Sequence, residues 1–211
     1  MSLIQVIENE VQMHHTTILH YWFGENVQTA DNIAKDKQQL WFTGGQEIDS
    51  EITQLFGDAL EEAKSGKYTS WENTAHSRLA FIILLDQFSR NIYRNTQRMY
   101  ESDSQSLQLC ITGIEQKMDE ELLPIYRQFF YMPLQHAENL QLQEKSVQMY
   151  TKIWKDAPES TKDYFSKAVN SAKRHHEIIE MFGRFPHRNK ILQRESTKEE
   201  QEFLQTPNSS F

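Results

Sequence analysis

The chain has 211 residues, of which 38% are hydrophobic and 25% are charged, and its formal net charge is −8. This length and composition are typical of a folded globular protein rather than a disordered one. The negative charge disfavours general binding to nucleic acid or to anionic membranes, because both attract basic surfaces. We therefore expect a globular protein with no nucleic-acid or membrane partner.

Cysteine content and hydropathy indicate the compartment. Cys110 is the single cysteine, so no intrachain disulfide can form, as is usual in a reducing cytoplasm. The longest purely apolar run, residues 79–85, is too short to cross a bilayer. The first residues lack the basic start and the continuous apolar stretch of a signal peptide. These features predict a cytoplasmic protein.

Apolar residues recur at helical spacing along nearly the whole chain. On one face, the first predicted helix carries Leu3, Ile7, Val11, Ile18 and Trp22. The second predicted helix begins at a cap, Asp49, and ends near Gly66. The third covers residues 74–88 and is apolar on nearly every side, which predicts a central position in the fold.

Three further helices are expected in the middle of the chain, at about residues 107–118, 122–131 and 140–154. Each carries apolar residues on one face and polar residues on the other. Pro133 should end the shortest of them, because proline removes a backbone donor and clashes with the preceding turn.

The last part of the chain contains two helix-start signals. The pattern Ser160-x-x-Asp163 predicts a capping box that opens the longest late helix, which should end before Gly183. The pattern Ser196-x-x-Glu199 predicts the start of a short final helix.

No segment alternates apolar and polar residues as a half-buried strand would, and the chain has 7 Gly and 5 Pro, too few for a turn-rich β protein. No Pro-rich or Ser-rich linker divides it. We therefore predict a single all-α domain over residues 1–211, with an N-terminal helix in residues 1–20 and a frayed tail at 205–211.

The stretch "LLDQFSRNIYRNTQR" at 84–98 places an acid and several arginines at the end of the central helix. Asp86 follows the apolar run 79–85 and should be at least half buried, so it needs a partner. Arg90 lies four residues further on and can reach Asp86 on a helix. We interpret the two residues as a structural pair. The alternative is that the arginines form the cationic wall of a pocket.

A second polar group lies in "FYMPLQHAENLQLQEKS" at 130–146. His136 and Glu138 are two residues apart, which is a poor spacing for chelating a metal or sharing a proton. They are expected to bond backbone groups near the helix ends. The alternative is that His136 acts as a catalytic acid or base, with His187 and Glu138 as the other candidates for catalysis.

The third group is basic, although the whole chain is acidic. Residues 173–194 contain six Lys or Arg and two Glu. Phe185-Pro186 predicts extended backbone, so the flanking side chains leave a turn. Guanidinium groups favour bidentate contacts with phosphate or carboxylate. The candidate anion-binding residues are Arg90, Arg184, His187, Arg188 and Arg194.

Two interpretations of this basic group stay open. In the first, these residues bind an anion, and protonation of His187 would strengthen the binding toward about pH 6. The alternative is that Arg184, Arg188 and Arg194 pair with acids elsewhere, such as Asp86 or Glu138, and serve the fold.

Metal, cofactor and nucleophile signatures are missing from the sequence. His176 and Glu180 have a spacing that could bind a metal, but no third ligand supports them, so no metal is expected. There is no Gly-rich phosphate loop and no G-x-S-x-G motif, and no cofactor is expected. Cys110 lies on an apolar helix face and is expected to be an inert core thiol.

Four stretches resemble the domain-of-unknown-function 924 family, which is mostly bacterial. They are "YWFGE" at 21–25, "LAFIILLDQFSRNIYRNT" at 79–96, "YMPLQHAENLQLQEKSV" at 131–147 and "FGRFPHRNKILQRESTKEEQEFL" at 182–204. Residues 1–20 look less like the family. The resemblance implies an all-α fold of about 8–10 helices, stacked as antiparallel hairpins in a tetratricopeptide-repeat-like array.

The resemblance also implies a candidate site, although the family has no established activity. The positions that match its motifs are Asp86, Gln87, Arg90, Asn91, His136, Glu138, Glu144, Gly183, Arg184, Phe185, Pro186, His187, Arg188 and Asn189. These positions include all of the residues that the three polar groups single out as candidates except Arg194.

Two function classes follow from these residues. The first is a binding module that holds a small anionic ligand or an acidic peptide segment. The second is an enzyme of hydrolase or transferase type, with His136 or His187 as acid or base and Asp86 or Glu138 orienting it. A closed concavity where these histidines and the arginines converge would favour the enzyme, and an open groove would favour the binding module. A structural oligomer would instead show these residues satisfied by one another.

Overall fold

The computed structural model describes residues 13–24 and 37–210, and these residues form helices joined by turns, with no strand among them. The expected all-α class is therefore confirmed. Leu3, Ile7 and Val11 of the first predicted helix lie outside the described residues. Ile18 and Trp22, on the same predicted face, are buried.

The α-helices follow one another along the chain with short connections. In order they are α1 His15–Phe23, α2 Gln46–Lys64, α3 Ala75–Ile82, α4 Ser89–Ile92, α5 Asp103–Glu115, α6 Pro124–Phe130, α7 Met132–His136, α8 Leu140–Asp156, α9 Lys162–Phe182 and α10 Lys198–Phe203. Two segments are π-helical. Gln39–Thr43 precedes α2, and Ile83–Phe88 joins α3 to α4. The 3₁₀ turns are Thr69–Asn73, Gln97–Tyr100, Met118–Glu121, Glu159–Thr161 and Pro186–Arg188.

The predicted central helix is confirmed, and it is longer than the pattern indicated. Helix α3, the π-helical segment and α4 form one continuous helix that ends at Ile92. The Thr74 hydroxyl caps it by accepting a hydrogen bond from the Ser77 amide. Its side chains from Leu79 to Leu85 are at most 1% exposed, because α1, α2 and α5 pack around it. This helix places its polar C-terminal end next to the late helices.

The late helices α8 and α9 pack along each other and are joined by residues 157–161. Helix α9 ends where expected, since Gly183 adopts a left-handed conformation with φ of 67° and donates to Ile179 O at 2.8 Å. Pro133 lies in the first turn of α7, so α6 ends before it and a new short helix starts around it.

Three of the predicted helix starts, at Asp49, Ser160 and Ser196, were wrong. Helix α2 begins before Asp49, because Gly44 and Gly45 have positive φ and turn the chain just ahead of Gln46. The predicted capping box of Ser160 and Asp163 does not form. Thr161 is the residue before α9, and no side-chain hydrogen bond caps that helix.

The capping box of α10 is shifted by one residue from the prediction. Thr197 and Glu200 form it, and not Ser196 and Glu199. The register is set by Glu200, since this carboxylate also binds Arg184.

The C-terminal residues 205–210, expected to be frayed, are attached to the helices. Arg174 Nε on α9 donates to Asn208 O at 3.2 Å, and Ser209 Oγ donates to Leu204 O at 3.2 Å. Ser209 is buried as a result. The tail therefore contacts α9 through the Asn208 carbonyl, and its residues other than Ser209 are exposed.

A glycine in α5 allows this helix to approach its neighbours closely. A Cβ at Gly113 would lie 2.5 Å from Phe130 Cζ and 2.9 Å from Arg78 Cδ. Arg78 cannot move aside easily, because its buried guanidinium donates to Leu109 O, Glu72 O and Thr112 Oγ1.

We expect Gly113→Ala to destabilise the protein by about 1–3 kcal/mol through overpacking. Gly57→Ala is the matched control, because a Cβ there meets no atom within 4 Å and Gly57 also lies inside a helix. The control should stabilise by about 0.5–1 kcal/mol, since alanine is the better helix former. Urea unfolding of both variants measures this, and equal effects would contradict the close approach.

We expect the Cys110 thiol to react slowly in the native protein and rapidly after unfolding. Cys110 is 0% exposed, and burial raises the pKa of its thiol well above the ordinary value. The measurement is the labelling rate with a thiol reagent, with and without denaturant. Fast labelling of native protein would show an accessible or activated thiol.

Candidate functional site

A cavity of about 690 Å³ lies where the end of the central helix meets α7, α9 and the C-terminal loop. This volume is in the range of small-molecule sites in proteins. The π-helical segment Gln39–Thr43 also contributes to its wall. Its basic lining residues are Arg90, Arg94, His136, Lys167, His175, His187 and Arg188.

The π-helical segment Ile83–Phe88 places Asp86 at the base of this site. Wide π-helical turns are frequent at functional sites because they redirect side chains within a helix. Asp86 is 0% exposed, and its Oδ1 accepts a hydrogen bond from His136 Nδ1 at 2.8 Å. Gln87 Nε2 also donates to the carboxylate. The chain therefore joins the central helix to α7 through a buried carboxylate.

Arg90 supplies the countercharge for Asp86. Its Nη1 lies 3.3 Å from Asp86 Oδ1 and donates to Asp86 O at 2.6 Å. Burial alone would raise the pKa of the Asp86 carboxyl, but Arg90 and His136 outweigh it and hold the pKa well below its usual range. Asp86 is consequently ionised at neutral pH.

Asp86 also determines the tautomer of His136. A carboxylate can only accept, so Nδ1 carries the proton and Nε2 carries the lone pair. Nε2 forms no hydrogen bond with any described residue, and His136 lines the cavity. Burial and the charge of Arg90 lower the pKa of His136, so the imidazole is neutral at pH 7. This is the arrangement of an oriented base.

A second arginine reaches the cavity from the C-terminal loop. Arg188 is 7% exposed, and its Nη2 donates to His136 O at 3.0 Å. Its guanidinium lies over the rings of Tyr100 and Phe185, 4.7 Å from each centroid. These contacts fix Arg188 beside His136.

Asp103 holds the two arginines next to each other. Its Oδ1 lies 3.0 Å from Arg90 Nη1, and its Oδ2 lies 3.5 Å from Arg188 Nη1. Two like charges in a partly buried site would otherwise repel. Asp103 therefore allows both guanidinium groups to line one cavity.

Two further histidines line the cavity in neutral form. Burial and the nearby Arg188 lower the pKa of His187 to about 4. Burial lowers the pKa of His175 to about 3, and its Nδ1 donates to Ser171 O at 2.9 Å. The expectation that His187 titrates near neutral pH is therefore wrong, because burial and the neighbouring guanidinium oppose its protonation.

The remaining arginines of the basic stretch bind internal acids and not the cavity. Arg184 forms a two-point contact with Glu200, at 2.6 and 2.8 Å. Arg194 forms another with Glu138, at 2.6 and 2.9 Å. Glu138 Oε1 also accepts from the Phe185 amide at 2.8 Å. These contacts hold the C-terminal loop on the helices. Arg184 and Arg194 are therefore no longer candidates for anion binding. Glu138 is no longer a candidate for catalysis.

The structure thus brings together four of the candidate site residues, Arg90, His136, His187 and Arg188. Glu144 is exposed and does not line the cavity.

The sequence analysis missed Asp103, Tyr100, Trp22, Gln128 and Gln135, which line or support this cavity. Trp22 and Gln135 lie in stretches that resemble the family, but no local pattern marks Asp103, Tyr100 or Gln128.

Within residues 13–24 and 37–210, no three His, Cys, Asp or Glu side chains are grouped as a metal site requires. In the same part of the chain, no helix has the length and hydropathy needed to cross a membrane.

The fold and site define an all-α protein with an arginine- and histidine-lined cavity. The profile of the family described as "Bacterial protein of unknown function (DUF924)" matches residues 18–208, and the chain belongs to this family. A solved structure, that of protein of unknown function ATU0120 from Agrobacterium tumefaciens, is similar with a TM-score of 0.75 and 30% identity. The similarity covers 90% of this chain and 96% of that one. No curated protein matches the sequence.

We expect Asp86→Ala to destabilise the protein by about 3–5 kcal/mol, because it removes the fully buried partner of Arg90 and His136 and leaves only Asp103 to offset the charge of Arg90. Asp58→Ala is the control, since Asp58 is exposed on α2 and should change stability by less than about 0.5 kcal/mol. Denaturant unfolding compares them, and a loss below about 1 kcal/mol for Asp86→Ala would contradict a buried pair.

Glu200 should make the stability depend on pH. Hydrogen bonds from Arg184 lower the pKa of the Glu200 carboxyl to about 2, below its value in the unfolded chain. The stability that the Glu200 carboxylate contributes is therefore complete above about pH 5 and is lost as the pH falls toward 2. We expect Glu200→Gln to cost roughly 2–3 kcal/mol at pH 7 and much less near pH 3.

The control for this prediction is Glu202→Gln, because the Glu202 side chain is 68% exposed. The free energies of unfolding of both variants and the unmodified protein should be measured at both pH values. A Glu200→Gln effect that does not change with pH would show that its carboxylate contributes nothing through its charge.

Proposed function

We propose that the cavity binds a small organic anion through Arg90 and Arg188. The observation that carries the proposal is the convergence of these two largely buried guanidinium groups on one cavity. Arg188 Nε has no hydrogen-bond acceptor among the described residues, although it is buried. A ligand carboxylate would supply that acceptor.

The charges around the cavity favour a monoanion. Asp86 and Asp103 match the two arginines, and the histidines are neutral. Lys167 lines the cavity and has no ion pair with an acid among the described residues. One net positive charge therefore remains, which suits a carboxylate better than a dianionic phosphate.

The shape supports a small molecule over an acidic peptide segment. The volume of about 690 Å³ and a lining of histidines, arginines and aromatic side chains are typical of a small-molecule site. The convergence of His136, His187 and two arginines on this cavity supports an enzyme as the second candidate.

The second candidate function is therefore catalysis, with hydrolase or transferase chemistry. His136 would accept a proton from water or from a hydroxyl of the ligand, and Asp86 would orient it and stabilise its protonated form. His136 suits this role because the Asp86 carboxylate orients its imidazole. The arginines would hold the anionic part of the substrate.

The cytoplasmic location and the absence of nucleic-acid partners remain part of the proposal. They rest on the net charge of −8 and on the single cysteine.

We expect small carboxylates, such as acetate and succinate semialdehyde, to raise the melting temperature at matched ionic strength. At ten times its Kd a ligand stabilises by about 1.4 kcal/mol, which is roughly 3–6 °C for a domain of this size. Lys167→Ala should weaken the shift, and Lys173→Ala, which removes an exposed lysine further along α9, should not. Equal shifts in both variants, or shifts no larger than those of chloride, would contradict the site.

The carboxylate shift should be nearly the same at pH 6 and pH 8. The reason is the lowered pKa of His187, about 4, because an imidazole that is neutral at both pH values adds no charge to the site. Thermal shifts at the two pH values measure this. Clearly tighter binding at pH 6 would mean that a histidine in the cavity becomes protonated there.

If the protein is an enzyme, His136→Gln should lower turnover by about 10²–10⁴ while the carboxylate-induced thermal shift remains. Turnover of a panel of carboxylate-bearing esters and amides should be compared for the unmodified protein and the variant. Loss of turnover and binding together would instead indicate that His136 supports the shape of the site.

A further inference from the structure

The wall of the cavity contains buried polar atoms that have no partner within the described part of the chain. They are Trp22 Nε1, Gln128 Oε1 and Gln135 Oε1. Their residues are 1%, 3% and 5% exposed. An unpaired buried donor or acceptor is costly, so native proteins rarely keep one without a use.

The two glutamine amides are oriented by bonds to α9. Gln128 Nε2 donates to Tyr164 Oη at 3.2 Å, and Gln135 Nε2 donates to Ser171 Oγ at 3.3 Å. Each Oε1 is thus left as an acceptor. Trp22 Nε1–H can only donate. The glutamines therefore offer acceptors to the cavity, and Trp22 Nε1–H offers a donor.

Helix α9 gives the spacing between these groups and the arginines. Tyr164, Ser171 and His175 all line the cavity on this helix. With a rise of ~1.5 Å per residue, the level of Tyr164 is about 10 Å from that of Ser171 and about 16 Å from that of His175. The His175 ring lies 5.5 Å from the Phe185 ring, over which Arg188 lies. The cavity is therefore elongated, with its two arginines near His175 and Lys167 nearer Tyr164.

The wall between the two ends carries apolar side chains beside the polar Lys167, Ser171 and Gln135. Ala168 lies on α9 between Tyr164 and Ser171, and Met132 lies in the chain between Gln128 and Gln135. A ligand that fills this part gains by burying apolar groups.

We propose that the ligand is an elongated carboxylate with an apolar spacer and an amide group at its far end. The carboxylate contacts Arg90 and Arg188. The amide carbonyl accepts from Trp22 Nε1–H, and the amide N–H donates to Gln128 Oε1. This inference rests on the proposed anion binding and adds the class of ligand and its length.

The probes are carboxylates that carry an acetamido group on the terminal carbon of hexanoate, octanoate, decanoate or dodecanoate. Each is compared with the unbranched alkanoate of the same total chain length, below the concentration at which micelles form. Isothermal titration calorimetry gives the Kd of each probe for the full chain. The ratio of the two Kd values isolates the amide, because both members of a pair bury similar apolar surface.

We expect the amide probes of the two longer chains to bind about tenfold more tightly than their alkanoates, and the hexanoate pair to show no difference. Gln128→Met should reduce this ratio to about one, because it removes the acceptor for the amide N–H. Gln116→Met is the matched control, since Gln116 does not line the cavity, and it should keep the ratio.

The chain-length series in the unmodified protein tests the inference even if Gln128→Met fails to fold. The amide subsite would be overturned by a Kd ratio of about one at every chain length. The proposed anion binding would remain intact if the alkanoates still bind and Lys167→Ala weakens that binding. A failure of every carboxylate probe to bind would overturn both.

Discussion

The arrangement of the site depends on the buried carboxylate of Asp86. A charge with no exposed surface needs partners from several elements, and here they are His136 from α7 and Arg90 from the end of the central helix. Each of these contacts also fixes a side chain that lines the cavity. The same interaction that makes the buried charge tolerable therefore orients the imidazole and one of the arginines.

The electrostatics of the cavity follow from this centre. Arg90 and Arg188 lie close enough to oppose protonation of the nearby histidines, and Asp103 bridges the two guanidinium groups. The result is a site with fixed positive groups and neutral imidazoles. Fixed charge of this kind holds an anion with little reorganisation.

The basic C-terminal stretch has two roles in one loop. Arg184 and Arg194 bind Glu200 and Glu138 and hold the loop against the helices, while Arg188 reaches the cavity. Paired arginines on both sides of Arg188 restrict its position. The local surplus of basic residues is therefore mainly a way to attach the loop, with one arginine left for the site.

The sequence by itself determined the helical class, the central helix and the end of α9, because hydrophobic period and glycine act over a few residues. It also singled out Arg90, His136, His187 and Arg188. Only the tertiary structure decided that Asp86 meets His136, fifty positions away, and that Arg184 and Arg194 turn to internal acids. It alone revealed the π-helical turn, Asp103 and the unpaired groups of Gln128 and Trp22. The reason is physical: local patterns report how a segment buries its apolar face, whereas the partner of a buried charge depends on which segments pack together.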